Sequence, residues 1–246
     1  MSLLNVQQFR DRIRKHRASL MNVVSPQKLK LKIDGASEVS ALLLRPSTAH
    51  ACFVFAHGAG ARMTHEFMER VSVGLFERNV ATLRYQFPYR ESGSKRPDAP
   101  TVAHAAVRTA VEKAARCCAG LALIAGGKSF GGRMTSQAQS IAPLAGVRGL
   151  AFLGFPLHAA GKPSDIRARH LDEVDVPMLF VQGTRDKLAE LSLLESVVTR
   201  LGPSATLHRV RDANHSFHVP ARLGRNDREV MTEVLDALSA WIATCA

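Results

Sequence analysis

The sequence predicts an α/β protein whose sheet has eight strands, most of them parallel, with helices on both faces. Residues 28–33 alternate apolar and polar side chains, and residues 39–45 follow after Asp34-Gly35, which together predict a β-hairpin. Short continuous apolar runs then occur at residues 51–56, 80–85, 121–125, 150–155, 178–183 and 205–210. Because runs without alternation are typical of strands that are buried on both faces, we expect these six to form a parallel sheet.

Segments with helical periodicity lie between the apolar runs. They predict helices at residues 67–76, 107–114, 131–142, 191–201 and 230–242. In the last of these, Val230, Val234 and Leu238 share one apolar stripe, as in a helix that buries one face. The Ser/Gly/Pro-rich segment at residues 90–100 is too short to divide domains, so residues 28–246 are expected to form a single domain.

The first 27 residues are interpreted as a basic extension of this domain. The whole chain has a net charge of +12, and residues 1–32 contain eight Lys/Arg and one Asp. Val6, Phe9 and Ile13 recur at near-helical spacing, which favours an added amphipathic helix. A targeting presequence and a patch that binds nucleic acid or anionic lipid are the alternatives.

Cysteine usage and hydropathy predict a cytoplasmic protein, although the basic extension leaves organellar targeting open. The spacing of the four cysteines, Cys52, Cys117, Cys118 and Cys245, fits neither a disulfide framework nor a zinc site, and a reducing compartment is expected. No apolar run reaches the ~18 residues of a membrane span. The N-terminus also lacks the apolar region of a secretory signal.

The glycine-rich stretch at residues 126–132, GGKSFGG, is the strongest local motif. A phosphate-binding loop, G-x-x-x-x-G-K-[ST], would need glycine where the sequence has Ala122. Gly127-Lys128-Ser129-Phe130-Gly131 instead fits G-x-S-x-G, in which a strained strand-to-helix turn exposes a nucleophilic serine. Positions two before and two after the serine approach each other closely, so small residues are needed there. The alternative is a tight β-α turn whose serine caps the helix.

A serine nucleophile needs a base and an acid, which in this arrangement follow it in the order Ser, Asp/Glu, His. Asp186 comes just after the run at residues 178–183, and His215 comes just after the run at residues 205–210. We therefore predict Ser129, Asp186 and His215 as a catalytic triad. Asp212 is the rival acid and His218 is the rival base.

The loop after the third strand, AHGAGAR at residues 56–62, is predicted to complete an oxyanion hole. Its Ala59 N–H and the Phe130 N–H would be the two donors. Gly58 and Gly60 are expected to let the backbone turn inward. His57 is expected to brace the loop by hydrogen bonds rather than transfer protons.

Six ordered motifs then resemble one group of α/β-hydrolases, which includes dienelactone-hydrolase-like proteins, the testis-expressed hydrolase-like protein and the third subunit of the nonspecific-lethal chromatin complex. The motifs are AHGAGARMTHEFM, YQFPYR, GGKSFGGRMTS, GFPLHAAGKP, FVQGTRD and NHSF. The resemblance begins at about Lys28 and implies an α/β-hydrolase fold without a large lid domain. It also implies Ser129, Asp186 and His215 as the triad and the turn at residues 57–61 as the oxyanion loop. The family more often has proline where this chain has Lys187.

These residues predict a serine esterase or thioesterase that acts on a small acyl substrate through an acyl-enzyme and needs no metal or other cofactor. Candidate pocket residues are His57, Arg62, Met63, Tyr89, Arg90, Lys128, Phe155, His158 and Lys187. Their cations suggest an anionic or phosphate-bearing ester, and the alternative is that Arg62, Arg90 and Lys128 are solvated charges at the pocket edge. A non-catalytic binding or scaffold protein on the same fold is the second function. No nucleic-acid-binding module is recognised, and a monomer or homodimer is expected.

Overall fold

The computed structural model describes residues 25–33 and 37–246, and the predicted N-terminal helix lies outside these residues. The described strands are β1 (Gln27–Ile33), β2 (Ser37–Leu44), β3 (Ala51–Ala56), β4 (Val80–Tyr85), β5 (Ala122–Lys128), β6 (Val147–Leu153), β7 (Met178–Gly183) and β8 (Ala205–Val210). All eight predicted strands are present. The strand predicted at residues 121–125 continues to Lys128, because the glycines of the motif pair with β3 and β6 before the chain turns.

Helices follow most strands, as the periodicity predicts. They are α1 (Glu66–Phe76), α2 (Pro88–Glu91), α3 (Pro100–Cys117), α4 (Phe130–Ile141), α5 (Leu191–Leu201) and α6 (Asp227–Cys245), with 3-10 turns at Ile166–Glu173, Gly202–Ser204 and Ala221–Leu223. Local chemistry explains several starts: α3 has proline in its first turn, and Asn226 and Glu229 form a capping box at α6. The short helix α2 was not predicted, since four residues are too few to show a period.

The sheet has the order β1-β2-β4-β3-β5-β6-β7-β8. β1 pairs with β2, and β2 with β4, in antiparallel orientation. The remaining neighbours in this order, from β4 through to β8, pair in parallel. Two hydrophobic clusters fill the opposite faces: one includes Val107, Met134 and Leu194, and the other includes Leu75 and Leu238. The expected eight-stranded, mostly parallel sheet with helices on both faces is therefore confirmed, and residues 25–33 and 37–246 contain no large separate lid.

This topology places several loops at one edge of the sheet. The carboxyl ends of parallel strands meet there, so the loops after β3, β5, β7 and β8 converge although they are far apart in the sequence. Among the described residues, no helix is both long and apolar enough to cross a membrane.

Candidate active site

Ser129 lies at a sharp turn between β5 and α4. Its backbone angles are φ 52° and ψ −116°, a conformation that L-residues seldom adopt and that costs roughly 1–3 kcal/mol. The side chain makes no capping hydrogen bond to α4, so the interpretation of Ser129 as a helix cap is wrong. The strained turn instead directs the hydroxyl away from the helix that follows.

Steric crowding explains the glycines around this turn. A Cβ at Gly131 would lie 2.6 Å from the carbonyl oxygens of both Ala56 and His57, and a Cβ at Gly127 would lie 2.9 Å from the carbonyl carbon of Gly131. Both distances are shorter than real Cβ atoms tolerate. The packing therefore excludes side chains two positions before and two positions after Ser129, as predicted. The turn can form only because these positions have no side chain.

Ser129, His215 and Asp186 form an unbroken chain of hydrogen bonds. The His215 Nε2 atom lies 2.9 Å from the Ser129 Oγ, and the His215 Nδ1 lies 2.6 Å from the Asp186 Oδ2. Because an ionised carboxylate can only accept, Nδ1 carries a proton and Nε2 is left to accept from the serine hydroxyl. This is the tautomer that a general base needs.

The Asp186 carboxylate is fully buried and held by more than the histidine. It accepts hydrogen bonds from the Gln182 Nε2 at 2.5 Å and from the Leu188 N–H at 2.8 Å. Gln182 is itself oriented, since its Oε1 accepts from the Phe155 N–H at 2.8 Å. The orientation of Asp186 is therefore fixed on both of its oxygens.

The two rival residues have other partners. The Asp212 carboxylate pairs with Arg185 at 3.4 Å, and the His218 Nδ1 lies 2.9 Å from the Asp227 carboxylate. His218 holds the pKa of Asp227 below its usual value. Neither rival contacts Ser129 or Asp186, so the structure assembles the predicted trio and leaves Asp212 and His218 outside it.

His57 braces the loop after β3, as expected. Its Nδ1 lies 2.8 Å from the Gly58 carbonyl oxygen, and its Nε2 accepts from the Phe87 N–H at 3.1 Å. Burial lowers the pKa of His57 to about 4, so the ring is neutral with the proton on Nδ1. In a planar trans peptide the N–H points opposite to the C=O. By holding the Gly58 carbonyl, His57 therefore also sets the direction of the Ala59 N–H.

Tyr89 and Arg90 hold the next carbonyls of the same loop. The Tyr89 hydroxyl donates to the Ala59 carbonyl at 2.7 Å, and the Arg90 guanidinium donates to the Ala61 carbonyl at 3.0 Å and to that of Gly60 at 3.4 Å. Four consecutive carbonyls of the loop, from Gly58 to Ala61, thus accept a side-chain hydrogen bond. Gly60 has no atom near its Cβ position, and Gly58 has only ordinary contacts there, so the packing leaves room for a methyl group at both positions.

A cavity of about 440 Å³ opens over Ser129. It lies between the loop after β3, the start of α1, the loop that carries His215 and the start of α6. Its lining comprises residues 58–61, 65–68 and 215–217 with Arg70, Lys128, Ser129, Asp227 and Met231. Phe67 and Phe217 form one wall, with their rings stacked at 5.9 Å and an interplanar angle of 9°.

Most of the predicted pocket residues lie outside this cavity. Of those candidates only Lys128 lines it, with Ser129, His215 and the glycine loop. Phe155 is buried in an aromatic cluster, and His158 is buried where its Nε2 accepts from the Glu190 N–H. Met63 hydrogen-bonds through its backbone to Gln86, and Arg62 and Lys187 are exposed away from the lining.

The charges in the cavity do not support an anionic substrate. Arg62 lies outside it, and Arg90 is committed to loop carbonyls, so two of the three cations behind that hypothesis are lost. Glu66 and Asp227 also line the cavity and offset the charge of Arg70. Lys128 is not a solvated edge residue either, since its ammonium group donates to the His215 carbonyl.

Sequence reasoning missed the cavity wall formed by Phe67, Phe217 and Met231. Phe67 packs against the core on one side, and its other side faces the cavity. The three come from segments far apart in the chain, so no local pattern identifies them together. The described part of the chain contains no cluster of His, Cys, Asp or Glu that could hold a metal ion.

Comparison with known proteins agrees with this architecture. A family model for the alpha/beta hydrolase domain matches residues 49–243. Dienelactone hydrolase from Anabaena variabilis is similar in structure, with a TM-score of 0.71 and 20% identity over 90% of this chain and 99% of that chain. A lidless serine hydrolase from Xanthomonas campestris has a TM-score of 0.68 and 16% identity over 88% of this chain and 95% of its own.

The esterase domain of a Rhodothermus marinus protein is also similar, with a TM-score of 0.66 and 15% identity over 88% of this chain and 97% of that domain. At such identities the structural likeness establishes the fold. The family match covers most of the sequence and supports a hydrolase. The chain therefore belongs to the alpha/beta hydrolase family.

Proposed function

We propose that the protein is a serine hydrolase that cleaves ester or thioester bonds of small acyl substrates through an acyl-enzyme. The observation that carries this proposal is the hydrogen-bond chain from Ser129 through His215 to Asp186, which ends at the serine in an open cavity. Fold alone does not establish function. A correctly tautomerised base beside a strained, half-buried serine that faces a cavity is the arrangement that acyl transfer requires.

In the first half of the reaction, the Ser129 hydroxyl attacks the acyl carbonyl while His215 Nε2 takes its proton. Asp186 holds the ring and stabilises the imidazolium that forms. When the tetrahedral intermediate collapses, His215 returns the proton to the leaving alcohol or thiol. Water then attacks the acyl-enzyme with His215 as base again, which releases the acid and restores Ser129.

The negative charge on the carbonyl oxygen would be stabilised by the N–H groups of Ala59 and Phe130. Phe130 is the first residue of α4, and the N–H groups of a first helical turn have no intrahelical acceptor. The Ala59 N–H is oriented through the Gly58 carbonyl that His57 holds. Loss of one such donor typically lowers kcat about 10²–10³-fold.

A fluorophosphonate probe tests the proposal. We expect the probe to label the wild type and Ser196→Ala, since Ser196 is exposed on α5, and not to label Ser129→Ala. The same variants should show whether p-nitrophenyl acetate and an acetyl thioester are hydrolysed. Equal labelling of all three proteins, or no labelling of folded wild type, would overturn the proposal in favour of a non-catalytic binding protein.

A further inference from the structure

Lys128 precedes the nucleophile, and its ammonium group turns toward the loop that carries His215. Its Nζ donates to the backbone carbonyl of His215 at 2.5 Å. The same ammonium group lies 5.3 Å from the ring centroid of Phe217 and 5.8 Å from that of Phe67. Charge, hydrogen bond and aromatic faces thus bring this lysine against the loop that carries the proposed base.

The neighbouring strand leaves space for this contact. Gly154 follows β6, and a Cβ at this position would lie 2.7 Å from the Lys128 Nζ and 3.4 Å from the His215 Nδ1. Gly154 also has a φ of +70°, which glycine adopts at no steric cost. The absence of a side chain here lets the ammonium group and the imidazole lie side by side.

Placing a lysine here costs free energy. Burial lowers the pKa of Lys128 to about 7, even though the Asp186 carboxylate favours its charged form. A methionine would fill similar volume without that desolvation cost. A residue that is unfavourable for stability and lies beside the nucleophile and the base is more simply explained by a role in the chemistry.

The loop that carries His215 has contacts of its own and contacts with other elements, such as the His218–Asp227 pair and the stack of Phe217 on Phe67. The Asn214 side chain accepts from the N–H groups of Ser216 and His218, and Phe217 is held at a φ of 59°, a strained value for a bulky residue. These bonds shape the loop but do not join its backbone to β5. The imidazole of His215 reaches Ser129, and the Lys128 hydrogen bond holds the His215 backbone to the last residue of β5, one position before Ser129.

We propose that Lys128 is a positioning residue that fixes the backbone of His215 relative to the nucleophile turn, so that Nε2 stays within reach of the serine hydroxyl. The inference rests on the proposed function, because it assigns His215 as the base. Lys128 touches no reacting atom in this role. A displacement of about 1 Å in a catalytic group can lower the rate about 10²-fold, so a single hydrogen bond that fixes the position of His215 can have a large effect on kcat.

Lys128→Met tests this role, with Lys32→Met on the exposed edge strand β1 as the matched control. We expect Lys128→Met to lower kcat about 10- to 100-fold while KM changes less than about threefold, because the base is misplaced while methionine keeps about the same side-chain volume in the cavity lining. Lys32→Met should behave as the wild type. If the methionine variant does not fold, Lys128→Gln, which is too short to reach the carbonyl, takes its place with the same expected loss of kcat.

Amide hydrogen exchange gives a readout that does not need turnover. Peptides covering residues 211–219 should exchange faster in Lys128→Met than in the wild type, and peptides from β1 should not change. Unchanged exchange in that loop, or an unchanged kcat, overturns the inference even if the probe still labels Ser129. If the probe does not label the wild type, the hydrolase proposal fails. Faster exchange in Lys128→Met would then still show that Lys128 holds the His215 loop in place.

Discussion

Replacement of Asp186 by asparagine would break the hydrogen bonding around the proposed base in a way that the structure specifies. The Asp186 Oδ2 accepts from both His215 Nδ1 and Gln182 Nε2, and Oδ1 accepts from the Leu188 N–H. If the asparagine NH₂ took the place of Oδ2, it would face two hydrogen-bond donors. If it took the place of Oδ1, it would face one donor. Gln182 cannot turn its amide without losing the Phe155 N–H from its Oε1.

The least costly rearrangement is that His215 moves its proton to Nε2. The ring then donates to Ser129 and can no longer accept the hydroxyl proton. The equivalent change in serine proteases lowers kcat about 10⁴-fold, which corresponds to about 5.5 kcal/mol of barrier. One buried donor left without an acceptor would also lower the free energy of unfolding by about 1–3 kcal/mol.

Steady-state hydrolysis of p-nitrophenyl acetate and urea denaturation measure the two effects separately. Asp212→Asn is the control, because Asp212 pairs with Arg185 and has a φ of 61°, which asparagine also tolerates. We expect this control to keep its rate within about threefold, since it contacts no triad residue. The reasoning is refuted if the kcat of Asp186→Asn stays within tenfold of the wild-type value, or if Asp212→Asn loses more activity than Asp186→Asn.

Three further outcomes follow from the contacts described. Gly131→Ala should lower the free energy of unfolding by more than about 2 kcal/mol, because its Cβ would meet two backbone oxygens at 2.6 Å. Gly60→Ala should change the free energy of unfolding by less than about 0.5 kcal/mol. Equal losses for the two variants in urea denaturation would contradict the packing argument. Tyr89→Phe should lower kcat with little change in KM and cost about 0.5–1.5 kcal/mol of stability, since the Ala59 carbonyl loses its donor; an unchanged kcat would show that the hydroxyl does not support the loop. Stability should fall as the pH drops from 6.5 to about 4, because burial lowers the pKa of His57 and His170 to about 4 and only the unfolded chain takes up these protons. His170→Gln should flatten that dependence by up to about 1.4 kcal/mol per pH unit, and an unaltered slope would refute the assignment.

Local sequence determined the strands, most helices and the trio Ser129, Asp186 and His215. Buried parallel strands need continuous apolar runs, and a tight turn around Ser129 excludes side chains at Gly127 and Gly131. The strands and the turn can therefore both be recognised from the sequence. Because parallel strands end at one edge, the order of loops along the chain also indicates which residues meet there. These constraints act over a few residues each.

Tertiary structure alone decided which side chains face the cavity. Arg90, Tyr89 and His57 turn to loop carbonyls, while Lys128 turns to the backbone of His215, 87 positions away in the chain. A long polar side chain at a loop can reach several partners, and its choice depends on which buried carbonyls lack a donor after the whole fold has closed. The cavity is likewise formed by surfaces that meet only when α1, the His215 loop and α6 pack together.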